Sequence, residues 1–102
     1  MEKDLAGRTA IVTGGGTGIG YATAVTLAGR GADVMICGRS ASSLDAAQER
    51  AADDGLTLAT RTCDVGSPDD ITALVDATVE RFGGIDIVVN NAASIEMAAI
   101  ED

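Results

Sequence analysis

The residues best suited to chemistry fall in four short groups along a chain of 102 residues. The first is Thr13-Gly14-Gly15-Gly16-Thr17-Gly18-Ile19-Gly20, and the others are Gly38-Arg39-Ser40, Asp64-Val65 and Asn90-Asn91-Ala92-Ala93. A glycine turn that enters a helix aims backbone N–H groups and the positive end of the helix dipole at one spot, which suits a pyrophosphate. On that reading Gly14 permits the turn, Gly18 lets a phosphate come close, and Gly20 lets the helix pack tightly against the strand before it. A Walker-type loop is excluded, because no Gly-Lys-Ser/Thr follows the glycines and the one lysine is Lys3.

Histidine is absent, so no imidazole triad, proton shuttle or imidazole metal site can be assembled. The two cysteines, Cys37 and Cys63, form no CxxC and share no metal-ligand spacing with other residues. No metal site is expected. Both cysteines fall near the ends of predicted strands, where they are expected to be free, semi-buried thiols that could lie close together if those strands are neighbours.

These groups need elements to position them. Ala10-Ile11-Val12-Thr13 is an unbroken apolar and β-branched run, as in a strand buried on both faces. A helix is predicted from Gly18 to about Arg30, with Ile19, Ala22, Val25 and Ala28 on its inner face and Gly29 or Gly31 as its stop. Val34-Met35-Ile36-Cys37 is a second strand. Ser40, Ser42 or Ser43 can cap a helix running through Leu44, Ala47, Arg50 and Ala51 to Gly55. A third strand is predicted over Leu56 to Cys63. Ser67-Pro68-Asp69-Asp70 then carries a serine cap, a proline at the first helical position and acids in the first turn. The inward face of that helix is expected to be Ile71, Leu74, Val75, Thr78, Val79 and Phe82, with Gly83-Gly84 ending it. Ile85 to Val89 is the fourth strand.

Four strands alternating with three helices imply an α/β fold: a parallel sheet with helices on both faces and strand order 3-2-1-4. Each of the four chemical groups follows a strand, so the topology gathers all of them on the carboxyl edge. That convergence is the main argument for a site.

Composition narrows the function further. Sixteen acidic residues against seven basic ones give a formal net charge of −9, and the arginines are scattered, so nucleic acid and anionic membrane surfaces are poor partners. No apolar run is long enough to span a bilayer and no basic-then-apolar leader opens the chain, which points to a cytoplasmic protein.

In sequence, TGGGTGIG resembles the TGxxxGxG cofactor loop of the short-chain dehydrogenase/reductases. CDV is similar to that family's Asp-Val pair after strand 3, and NNAA to its NNAG motif, with Ala93 in place of glycine. The resemblance covers essentially the whole chain and implies a Rossmann-type sheet. It also implies roles. Gly14, Gly16, Thr17, Gly18, Ile19 and Gly20 would form the ribose and pyrophosphate cradle. Asp64 would accept a hydrogen bond from the adenine amino group and Val65 would flank the ring, while Asn90 and Ala92 would contact the nucleoside. Gly38 stands where NAD-dependent members usually carry aspartate, and Arg39 with Ser40 could hold a 2′-phosphate, so NADP is the expected cofactor rather than NAD.

The family's catalytic Tyr-x-x-x-Lys pair has no counterpart. Tyr21 is the one tyrosine, and Val25 stands four residues after it. Residues 1–102 are therefore expected to be the dinucleotide-binding part of a single-domain reductase, truncated after strand 4, with its catalytic half absent. The parent would transfer hydride between nicotinamide and an alcohol/carbonyl pair, as a homo-oligomer acting on a small molecule. The alternative is a non-catalytic nucleotide-binding module or pseudoenzyme remnant. A Rossmann-like methyltransferase is disfavoured because Arg39 stands where such domains carry a ribose-binding acid.

Overall fold

The computed structural model describes residues 3–16 and 18–91. Seven elements follow one another: β1 (Thr9–Thr13), α1 (Gly18–Gly29), β2 (Asp33–Gly38), α2 (Ala41–Asp53), β3 (Leu58–Thr62), α3 (Pro68–Phe82) and β4 (Ile87–Asn90). The four strands form one sheet in the order β3-β2-β1-β4, and every neighbouring pair is parallel. This is the expected Rossmann-type order.

Every residue of β1 is buried, because the sheet is covered on both faces. On one face α1 and α2 pack against Ala10, Val12, Val34, Ile36 and Leu58. On the other, α3 contributes Leu74 to a core of Ile11, Met35, Cys37, Ala59 and Cys63. The period-two alternation of strands sends consecutive residues of β1 and β2 to opposite cores.

The helix ends are set by local chemistry. Ser40 is the cap of α2, its hydroxyl accepting from the Ser43 N–H at 3.2 Å. Ser67 caps α3 in the same way, accepting from Asp70 N–H at 3.3 Å, with Pro68 as the first helical residue. Gly83 closes α3 in the left-handed conformation at φ 92°, a geometry that favours glycine. Among the described residues, no helix is long and apolar enough to cross a membrane.

Two helix faces differ from expectation. In α1 the buried residues are Gly20, Tyr21, Ala24 and Ala28, whereas Ile19 is 78% exposed and Ala22 is exposed. The reason is the close approach of Gly20 to the Gly14 carbonyl in the turn after β1, which fixes the rotation of the helix regardless of where its apolar side chains fall. In α3, Leu74 and Thr78 are buried but Val75 and Val79 are exposed. Thr78 tolerates burial because its hydroxyl donates to the Leu74 carbonyl at 2.7 Å.

Two strands are also shorter at their starts than expected. β3 begins at Leu58 and β4 at Ile87. Before β4, Asp86 is occupied otherwise: its carboxylate accepts from Thr9 N–H at 2.9 Å, and its own N–H donates to the Thr9 carbonyl at 2.9 Å.

Candidate functional site

The glycine turn leaves β1 through Gly14 at φ 65° and enters α1 through Gly18 at φ 59°, both in the left-handed region that side chains disfavour. Its first two amides are anchored to β2, since Gly14 N–H donates to the Cys37 carbonyl at 2.8 Å and Gly15 N–H to the same oxygen at 3.4 Å. A Cβ on Gly20 would lie 2.0 Å from the Gly14 carbonyl oxygen, so no side chain fits where helix and turn meet. Around Gly18 the opposite holds, with nothing within 4 Å of an added Cβ. The roles expected for Gly14 and Gly20 therefore have a direct geometric cause, and Gly18 faces open space.

Gly15 was missing from the sequence-based candidates. An added Cβ there would come within 2.6 Å of Ile36, so this glycine seats the turn against β2. Its one sequence signal is its place inside three consecutive glycines. Gly16 lies beside the start of α2, where its Cβ would approach that of Ser43 to 3.2 Å. Among the described residues, the amides of Gly16, Gly18 and Ile19 have no hydrogen-bond partner, leaving donors at the positive end of α1. Such a cradle fits an anionic pyrophosphate.

The remaining groups lie along the same carboxyl edge. Arg39 and Ser40 follow β2 and are exposed, and Arg39 makes no ion pair among the described residues. Ser40 is engaged as a helix cap, and its oxygen lies 3.1 Å from that of Ser42. Gly38 is sterically free: an added Cβ would meet only Leu44 Cδ2, at 3.9 Å. Packing therefore does not forbid an acid at that position.

After β3, Asp64 is exposed and folds back on its own turn, Oδ1 accepting from Gly66 N–H at 2.9 Å. Its backbone N–H donates to Asp70 Oδ2 at 2.9 Å, which ties the turn to α3. Val65 is half-buried against the α3-side core. Across the sheet, the Thr13 hydroxyl donates to Asn90 Oδ1 at 2.8 Å and accepts from Asn91 N–H at 2.9 Å. This pair joins the ends of β1 and β4, whose register sets Thr13 opposite Asn90. Thr17 and Ala92 lie outside the described residues.

Cys37 and Cys63 are both free and both buried. Burial, reinforced by the neighbouring Cys63 thiol, pushes the Cys37 thiol up to about 12. Burial also raises Cys63, with Asp70 adding to the shift.

A parallel β3-β2-β1-β4 sheet, a glycine turn feeding a helix and four loops on one edge together define a Rossmann-type nucleotide-binding fold. The chain belongs to the short chain dehydrogenase family, whose sequence model matches residues 8–102. It is 41% identical over 101 residues to versicolorin reductase of Emericella nidulans, covering 96% of this chain and 38% of that protein. A variant of actinorhodin polyketide ketoreductase solved with NADPH matches it at TM-score 0.83 and 38% identity, over 92% of this chain and 36% of the other. A metagenomic short-chain oxidoreductase in complex with NADP matches at TM-score 0.82 and 33% identity, over 88% and 41% of the two chains. The chain spans less than half the length of the curated relatives it matches, from 30% to 43% of them.

Proposed function

We propose that this chain forms the NADP-binding part of an oxidoreductase that transfers hydride between nicotinamide and an alcohol/carbonyl pair. The observation that carries the cofactor choice is the end of β2, where Gly38 supplies no acid and Arg39 stands exposed and without an ion pair among the described residues. A carboxylate at that point would accept hydrogen bonds from the ribose hydroxyls and repel a 2′-phosphate, whereas a guanidinium pairs with the phosphate. The related structures solved with NADPH and NADP support this reading.

The bound cofactor would supply or accept the hydride. The chain's own residues bind and orient it. Amides of Gly16, Gly18 and Ile19 would meet the pyrophosphate, Arg39 the 2′-phosphate, and the second carboxylate oxygen of Asp64 the adenine amino group beside Val65. Thr13, Gly14, Gly20 and Asn90 hold the edge in shape, and Ala92 would complete the nucleoside contacts after β4. Tyr21 is buried within α1 and turned into the core, so it is not placed to exchange a proton with substrate. We therefore expect the 102-residue chain to bind NADP without turning over ketones or aldehydes, the proton donor being supplied by the part of the longer relatives that this chain does not span. A small carbonyl or alcohol substrate, homo-oligomeric assembly and a cytoplasmic setting belong to the same proposal.

Calorimetric titration with NADP and NAD tests it. A charge-assisted hydrogen bond contributes about 1.5–3 kcal/mol, so Arg39→Ala should weaken NADP binding about ten- to a hundredfold and leave NAD little changed. Gly38→Asp should reverse the preference. Equal affinity for both cofactors in the unmutated chain would overturn the NADP assignment. The absence of binding to either, in a folded chain, would overturn the reading of the edge. Turnover of carbonyl substrates that scales with the concentration of this chain would show that the proton donor lies within it.

A further inference from the structure

The outer edge of the sheet, at β3, carries features that the cofactor site does not use. β3 pairs with β2 alone, so its other side is open among the described residues. Cys63 N–H donates to the Gly38 carbonyl at 2.8 Å, so Ala59, Arg61 and Cys63 turn their backbone groups toward β2, and by strand alternation Leu58, Thr60 and Thr62 turn theirs outward. Gln48 covers the first of these, its Nε2 donating to the Leu58 carbonyl at 2.8 Å. The backbone groups of Thr60 and Thr62 have no such partner among the described residues.

Beside that edge, on the α3 face, lies an open groove of about 420 Å³ lined by Met35, Thr60, Arg61, Ala77, Glu80 and Arg81. Met35 and Ala77 are its apolar part, and two guanidiniums face one carboxylate. Neither Arg61 nor Arg81 makes an ion pair among the described residues, whereas Arg8 pairs with Asp86 and Arg30 with Asp4. Arg81 lies over the Phe82 ring, 5.5 Å from its centroid, which narrows the places its charge can occupy.

We propose that this edge docks an extended segment of a partner protein, which adds to β3 as a further strand and presents an acid, an apolar residue and a second acid at alternate positions toward α3. Thr60 and Thr62 supply the main-chain hydrogen bonds, and the groove selects the side chains. Alternate side chains on a strand stand about 7 Å apart. The central one passes the small Ala59 to reach Met35 and Ala77. Because β3 and β4 are both parallel to the rest of the sheet, α3 runs back against the strands, so Arg81 in its last turn lies toward the start of β3 and Arg61 toward its end. Each acid thus meets one arginine, and the pattern is the same whichever way the new strand runs.

Charge decides between occupants. The whole chain carries −9, yet at physiological salt charges beyond roughly 8 Å are screened, so an arriving carboxylate responds mainly to the groove's own excess of one positive charge. Two copies paired antiparallel through β3 would instead bring both Arg61 side chains to the same face of the joint, like charge near like. Arg61 therefore deters a second copy, as charges on edge strands do, and selects an acidic strand. The proposal does not depend on the cofactor reading.

The test titrates the full chain with the capped peptide TETVTET, followed by calorimetry and by amide hydrogen exchange. Exchange at Thr60 and Thr62 should slow on binding, and added salt should weaken the complex. Arg61→Ala and Arg81→Ala should each weaken it about two- to fivefold, and replacing both peptide glutamates by glutamine should weaken it about tenfold in the unmutated chain, whether or not the variants fold. No binding at millimolar peptide, binding that the glutamine peptide matches, or binding without slowed exchange at Thr60 and Thr62 would overturn the proposal. Displacement of the peptide by equal concentrations of inorganic phosphate or free glutamate would overturn it too, making the groove an anion site only. Exchange at Thr60 and Thr62 that slows as the chain alone is concentrated would give the edge to a second copy and overturn it.

Discussion

At the β1–α1 corner there is no room for side chains: a Cβ on Gly20 would strike the Gly14 backbone carbonyl, and one on Gly15 the branched Cβ of Ile36. On the flank made by β4 and α3 side chains face outward instead, with Val88 64% exposed, Val79 42% and Val75 38%. The corner is fixed by atoms that cannot be repacked. The flank is paired to β1 along β4 and is pinned besides at both ends of that strand, by Asp86 on Thr9 and by Thr13 on Asn90. The same sheet therefore contains a rigid glycine corner and an edge strand whose ends carry polar pins.

Gly20→Ala should have the largest effect on that contrast. Its Cβ would press on a backbone oxygen that has nowhere to go, and a loss of about 3 kcal/mol or more is expected by urea unfolding, at the upper end of overpacking costs. A loss below 1 kcal/mol, by the same principle of incompressible packing, would mean that the corner yields easily.

Asp86→Ala comes next. It removes the acceptor from the N–H of Thr9, which is 3% exposed, along with the Arg8 ion pair at 3.5 Å. Leaving that amide without a partner should cost about 2 kcal/mol. Hydrogen exchange should quicken in β4 before it does at the glycine turn. Uniform quickening would erase the distinction between the two regions.

Alkaline unfolding addresses the core beneath the corner. Cys37 is raised from the ordinary thiol value of 9.0 to about 12, so the folded chain keeps the proton that the unfolded chain releases. Stability from this group is complete below pH 9 and is lost between pH 9 and 12, amounting to about 1 kcal/mol lost by pH 10. Cys37→Ala should flatten that decline. An identical slope in the variant would show that the thiol does not report on the core.

The smallest effect belongs to the flank. Val88→Lys should change stability by no more than about 0.5 kcal/mol, as for exposed substitutions generally. It should nevertheless suppress self-association in sedimentation, since a charged side chain blunts the edge of β4, which no strand pairs among the described residues. A large loss of stability would show that Val88 is packed.

The order of elements was legible in the sequence because strands and helices differ in period and because Ser40, Ser67, Pro68 and Gly83 mark ends with their own chemistry. The strand order followed from topology rules and needed no side-chain detail. The inner face of α1 was not legible. Small and apolar residues occur all round that helix, so its rotation is decided by a contact between Gly20 and Gly14 that no periodicity records. Val75 and Val79 misled for a related reason: apolar residues at helical spacing resemble a core face whether or not anything covers them. The site groups were readable as loops after strands. The anchoring of Gly15 depends on Ile36, which is distant in sequence.

The turn after β3 is closed on itself by Asp64 Oδ1 to Gly66 N–H, Asp64 O to Ser67 N–H, Ser67 Oγ to Asp70 N–H and Asp70 Oδ2 to Asp64 N–H. Fixing a flexible residue costs about 1–2 kcal/mol of conformational entropy, and here folding has already fixed this segment. On the proposed cofactor reading, a ring set against Val65 would meet a surface with little left to freeze, so its association is expected to be governed by encounter and desolvation rather than by loop ordering. The acidic turn would then contribute to recognition through the disorder it no longer possesses.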